Sequence, residues 1–305
     1  MEQIKELEIY GGKHTLQFIE DKDVWPEKHE YRVDRELVDL TVSGITKVLD
    51  KPALVGWATK MCAEFVQLFS GRLSAKVVVS TLTGLAVDEV ELEAFIADMK
   101  AHGKGKKKEA ATIGTMAHKY VEEHIKNVLG LGPKPKMPVN ASVQKAVGAF
   151  LEWEKAHKVV YLASERLVYS RTYKYAGQVD IEATVDGELS ILDCKTSSGF
   201  YDEMDYQVAG YQIAAEEEAL FVKRPVQYAA RWILRLDKLT GEFEVKKLTD
   251  HAGDKACFLA CLTIARRKLA QKKANAERKK VQKEVRDKNK EAAAKPKRKA
   301  KKRKK

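Results

Sequence analysis

Residues 1–40 alternate apolar and polar positions. IKELEIY and HTLQFIE flank Gly11-Gly12, which predicts two strands joined by a turn. Pro26 interrupts the pattern, and YRVDRELVDLTV predicts a further hairpin. From Ser43 the apolar spacing becomes helical. Ser43 is a candidate cap for SGITKVLD, and Lys51-Pro52 opens a long apolar-striped segment, ALVGWATKMCAEFVQLFSG, expected to stop at Gly71. VDEVELEAFIADMKAHG predicts another helix closed by Gly103. KGKKK at 104–108 reads as a basic linker or the first turn of the next helix, EAATIGTMAHKYVEEHIKNVLG, which should end near Gly130. Pro133, Pro135 and Pro138 make the following stretch a loop, and SVQKAVGAFLEWEKAH has the spacing of an amphipathic helix.

The texture then changes to strands. YLASERLVYS, KYAGQVDIEATV and LSILDCKTS alternate in period two, with Asp186-Gly187 as a hairpin turn between the last two. EMDYQVAGYQIAAEEE is helical, QYAARWILRLD and GEFEVKKL form another hairpin around KLTG, and a last helix starts near Asp250 and runs into a Lys-rich end. This order predicts an α+β chain. Residues 1–42 form N-terminal strands and hairpins, 43–265 a main domain with a helical N-terminal part, and 266–305 a basic helix and tail.

Charge sharpens the picture. The net charge is +12 over 305 residues, but residues 266–305 hold 21 Lys and Arg against 4 Asp and Glu, a net of +17. The other 265 residues therefore carry a net of −5. A mildly acidic body with a cationic tail suits a polyanionic partner, nucleic acid above all. KPKRKAKKRKK is read as a disordered cationic tail rather than a nuclear localisation signal. No apolar run of about 18 residues predicts a membrane span, the first residues have no secretory pattern, and four scattered cysteines make no disulfide framework. A cytoplasmic location is the expectation.

The chemistry concentrates in one segment. Asp180 lies in an otherwise apolar strand run, and Asp193 ends the next strand after two large apolar residues. The Asp186-Gly187 turn lies midway, so the two carboxylates can face one another, repel, and call for a divalent cation. Oxygen ligands suit Mg²⁺ or Mn²⁺. Lys195, two residues after Asp193, projects from the same strand face and can act on a nearby water.

These residues, with others in order, resemble the PD-(D/E)xK nuclease superfamily. The closer likeness is to its RecB-type exonuclease branch, which includes CRISPR-associated, mitochondrial genome-maintenance and many phage nucleases. Ile113-Gly114-Thr115-Met116-Ala117-His118 is similar to the helical histidine motif. Gly177-Gln178-Val179-Asp180 is similar to GxxD, Asp193-Cys194-Lys195-Thr196 to DxKT, and Gln207 with Tyr211 to QxxxY; Glu165 matches an upstream acidic strand position.

The resemblance implies a restriction-endonuclease-like mixed central sheet flanked by helices. It also implies a Mg²⁺- or Mn²⁺-dependent DNA exonuclease active on strand ends in recombination, repair or phage DNA processing. Asp180, Asp193 and the Cys194 carbonyl would hold the ion, with His118 and Glu165 completing the set, and Lys195 would position the attacking water. Some members carry an iron–sulfur cluster on four cysteines. Here Cys194 is the x of DxK and only Cys257 and Cys261 lie near the C-terminus, so no cluster is expected.

Other readings remain open at this stage. Gln207 and Tyr211 share a helix face and either line the site or sit in the core. His118 is a ligand or a helix-edge histidine, Glu165 a ligand or a structural carboxylate, and Glu122, one turn after His118 on the same face, a further ligand or a solvated helix charge, while His124 and His251 have no identified partners. A structure-specific or restriction-type endonuclease, and a catalytically dead nucleic-acid-binding module, are the rival functions. The oligomeric state is not legible.

Overall fold

The structure, a computed structural model, describes residues 2–21, 28–49, 51–83 and 89–294. The chain is α+β, with a small sheet, a larger mixed sheet and six helices among the described residues. β1 (Glu2–Ile9), β2 (His14–Asp21), β3 (Lys28–Val33) and β4 (Glu36–Leu37) form an antiparallel meander. α1 (Val42–Thr46), α2 (Pro52–Thr83), α3 (Glu89–Val128) and α4 (Ala141–Ala156) follow. The second sheet comprises β5 (Val159–Ser170), β6 (Tyr175–Val185), β7 (Glu188–Lys195), β8 (Ala230–Leu236) and β9 (Phe243–Leu248), in sequence order. α5 (Asp202–Phe221) joins β7 to β8, and α6 (His251–Ala294) closes the described chain.

All pairs in the larger sheet are antiparallel except β7 with β8, which run parallel. A parallel pair cannot be joined by a tight turn, so α5 must cross over one face. Val168, Ile191 and Ile233 bury under α5, α6 and α1, against Val208, Phe258 and Ile45. On the other face Ala183, Leu192 and Leu234 bury under α3 and α4, against Ile125, Phe150 and Trp153. β7 and β8 are thus covered on both sides, which is why their buried runs are nearly continuous, while β6 alternates. The small sheet shares a third core with β5 and β6, through Leu16, Phe18 and Tyr31 against Leu167, Tyr169 and Ala176. The Tyr10 hydroxyl ties the same junction by donating to the Tyr169 carbonyl at 2.8 Å.

Asp186 and Gly187 both take positive φ (51° and 90°), the backbone that a two-residue β-hairpin requires. Three helix boundaries differ from expectation. Thr41, not Ser43, caps α1: its hydroxyl accepts from the Gly44 N–H at 3.0 Å while its own backbone stays extended. α2 does not stop at Gly71 but continues to Thr83, and α3 runs unbroken through Gly103 and the KGKKK segment. A helical glycine costs about 1 kcal/mol and does not by itself end a helix. Residues 295–305, which include Pro296 and the expected disordered end, lie outside the described residues. No described helix is long and apolar enough to cross a membrane.

Candidate metal centre

The site forms where the β6–β7 ladder gives out. Register runs to Ile181 opposite Leu192, so Asp180 and Asp193 occupy the next cross-strand position. The Cys194 N–H donates instead to the Asp180 carboxylate at 2.9 Å. β6 keeps its alternation of buried and half-buried positions through Asp180, but Val179 joins the core beneath α5 while Ile181, two residues on, joins the core beneath α3. On β5 the register places Glu165 across from Asp180, and Glu165 has φ 53°, in the left-handed region. A non-glycine residue in that region in mid-strand is strained, and such strain concentrates at functional sites.

α3 brings His118 to this irregularity. Its approach depends on Gly114, where an added Cβ would lie 2.9 Å from the Thr196 hydroxyl. The glycine of the helical motif and the threonine of DxKT are therefore packing partners. His118 Nδ1 lies 3.5 Å from the Asp180 carboxylate. Burial holds the imidazole below its usual pKa, and the Lys195 charge adds to this; Asp180 and the Cys194 carbonyl pull the other way. The balance leaves a neutral ring, the form that ligates metals. One donor atom each from His118, Glu165 and Asp180 lies within 4.8 Å of the others. Burial pushes the Glu165 carboxyl well above its usual value, and the charges of Asp180 and Glu122 push it further. The cluster lacks positive charge, which a divalent cation would supply.

Asp193 lies outside that three-residue group. It is fully buried, neither oxygen has a well-directed hydrogen-bond donor, and the Lys195 ammonium lies 2.5 Å from one of them. Burial, with Asp180 nearby, raises its pKa to about 7 despite Lys195. Burial works to lower the Lys195 pKa, but Asp193 and Asp180 outweigh it and hold the ammonium charged. The pairing follows from the i, i+2 spacing on one strand face.

α5 supplies the opposite wall. Gln207 Nε2 donates to the Tyr211 hydroxyl at 2.7 Å. Both line a cleft of about 180 Å³ with Tyr31, Glu165, Gly177 and Asp180. Burial, with Asp193 and Asp180 nearby, drives the Tyr211 phenol pKa up, so it stays a neutral hydroxyl. Gly177 is required by this packing: a Cβ there would meet Val42 Cγ2 at 2.7 Å and the Tyr211 ring at 2.8 Å. His29 and Tyr31 of β3, with Thr41 and Ser43, also border the cleft. The sequence reading missed them, and no spacing signal connects them to motifs more than a hundred residues away.

The remaining candidates fall elsewhere. Glu122 binds Lys126 (2.5 Å) and Lys5 (3.4 Å). His124 has a partner after all, the Glu154 carboxylate at 2.9 Å, which also accepts from the Tyr161 hydroxyl at 2.7 Å. His251 opens α6 and belongs to no metal-binding group among the described residues. Cys194 and Cys261 are buried, Cys62 and Cys257 exposed, and all four are free thiols.

No protein-family model and no curated protein matches the chain.

Proposed function

We propose that the chain is a metal-dependent DNA exonuclease of the RecB-type branch of the PD-(D/E)xK superfamily, its larger sheet being the restriction-endonuclease-like core. The observation that carries the reading is the convergence of His118, Glu165 and Asp180 within 4.8 Å, beside the Asp193–Lys195 pair. The two carboxylates are hard oxygen donors that fit Mg²⁺ or Mn²⁺, and the imidazole, a borderline donor, favours Mn²⁺ of the two. His118, Glu165 and Asp180 would hold the ion, with Asp193 and the Cys194 carbonyl adjoining them. A bound divalent ion polarises a phosphoryl oxygen and lowers the pKa of its water.

The chain's own groups do the rest. Lys195, kept charged by Asp193, orients the attacking water and offsets the negative charge that develops at phosphorus. The Tyr211 hydroxyl accepts from Gln207, which leaves its own proton for a phosphate oxygen. The family resemblance carries the expectation of a 5′-phosphate and a 3′-hydroxyl product.

The test is incubation of end-labelled linear DNA and closed circular DNA with Mg²⁺, with Mn²⁺ and with EDTA. Shortening of linear DNA that stops in EDTA, with circles intact, is the expected result. Cut circles would identify an endonuclease using the same residues. Binding without cutting in any metal would leave a binding module and overturn the catalytic assignment.

A further inference from the structure

A second concavity begins two residues beyond Lys195. It has a volume of about 590 Å³ and is lined by Trp57, Leu54 and Lys51 at the start of α2, Lys107 on α3, and Ser197 and Tyr201 between β7 and α5. That volume lies within the ~300–1,000 Å³ of ordinary ligand pockets. The Tyr201 wall is tied to the loop that carries it. The Tyr201 hydroxyl is hydrogen-bonded to Ser198 at 3.1 Å, and the Ser197 carbonyl accepts from buried Arg235 at 3.3 Å. Trp57 is half-buried and, among the described residues, makes no ring contact or hydrogen bond. Mostly apolar and rimmed with lysine, the groove presents aromatic side chains on which, among the described residues, no other ring stacks.

We propose that this groove holds unpaired bases at a single-stranded DNA end, stacked on Trp57 and Tyr201, with Lys107 on the backbone phosphates. The inference rests on the nuclease reading above and names where its substrate lies. Three observations favour this occupant over an apolar peptide. Lys107 is exposed, is in no ion pair among the described residues, and sits in the run Lys104, Lys106, Lys107, Lys108. The one acidic wall residue among the described residues, Glu203, is already engaged by Lys51 at 2.6 Å. The groove is also tied in sequence to the site: Ser197 and Ser198 follow directly on the strand that carries Lys195, and Lys107 and Ala110 lie on the helix that carries His118. A duplex hides its base faces and offers nothing to stack, so the site selects single strands.

The experiment measures the affinity of a fluorescein-labelled oligothymidine and of a blunt duplex of equal charge. It is done in EDTA at one fixed salt concentration, with the full chain and its Trp57→Ala, Trp57→Phe and Tyr201→Ala variants. Trp57→Ala should weaken single-strand binding between about 5- and 150-fold, the span of one lost base–aromatic stack. Trp57→Phe should restore most of it, and duplex affinity should stay unchanged. Equal single-strand affinity for Trp57→Ala and the parent overturns the groove, as does an equal loss for duplex. Cleavage by the parent in Mg²⁺ is measured in the same preparations. Cutting with no Trp57 effect sinks the groove alone, and a Trp57 effect without cutting sinks the nuclease reading alone.

Discussion

Asp193 and Lys195 form a buried pair in which the fold alters the chemistry of the carboxyl. Asp193 is buried with one cationic neighbour, and burial raises its pKa from 3.8 to about 7. A raised carboxyl means that the folded chain binds the proton more tightly than the unfolded one. The contribution of Asp193 to stability should therefore fall as pH rises from about 4 to 7 and level off above. Asp193→Asn has no proton to lose. In EDTA, its stability relative to wild type should rise on the order of 3 kcal/mol between pH 4.5 and pH 8. Thermal or urea melts across that range measure it, and a difference independent of pH would mean that Asp193 is ionised at ordinary strength.

Lys195→Met separates water activation from metal binding: kcat should fall about 10²–10⁴-fold, while Mn²⁺ affinity by calorimetry stays within a few-fold. A collapse of Mn²⁺ binding would place the ammonium in the wrong role. At this scale the sequence was informative where chemistry is local. Asp180, Asp193 and Lys195 come together because strand spacing and one hairpin turn dictate it. The left-handed backbone of Glu165 and the arrival of Tyr31 were not legible, because each depends on a sheet irregularity or a packing event between distant segments.

Among the elements, the strands of the larger sheet were the most legible, since period-two alternation and the Asp186-Gly187 turn fix both pairing and register. The helices were divided too finely. Gly103 was read as a helix end and KGKKK as a linker or the first turn of the next helix, yet α3 passes through both as one helix, Glu89–Val128. Gly105 has nothing within 4 Å of where a Cβ would sit, and its φ is not positive. Gly105→Ala should therefore stabilise the protein by about 0.5–1 kcal/mol, read as a rise in the urea midpoint at unchanged slope. A loss of stability would show that the helix needs a hinge there.

At the scale of the whole molecule, the acidic body and the basic helix are joined but distinct. α6 begins inside the core, where Phe258, Cys261 and Leu262 pack under the sheet, and Arg266 donates to the Tyr173 carbonyl at 2.8 Å. Beyond Leu269, the residues as far as Lys290 are exposed, and the one ion pair to the body among them joins Lys273 to Asp39. A helix so rich in Lys and Arg, with Val281 and Val285 its only large apolar side chains past Leu269, has no core to join. Its residues favour helix on their own, which explains how it continues to Ala294 without packing. Under the proposed function such an arm would engage DNA through counterion release, where each phosphate contact contributes about 0.7–0.9 to the log–log slope of affinity against salt. With about five or six contacts engaged at once, deleting 272–305 should lower that slope by about 3–5. Turnover at saturating DNA should change little, because His118, Asp180 and Lys195 are far from the deleted segment in sequence and packed in the body. Affinity measured between low and moderate salt, with turnover measured alongside, decides it. Equal slopes would remove the arm from DNA binding, and a collapse of saturated turnover would make it part of the site.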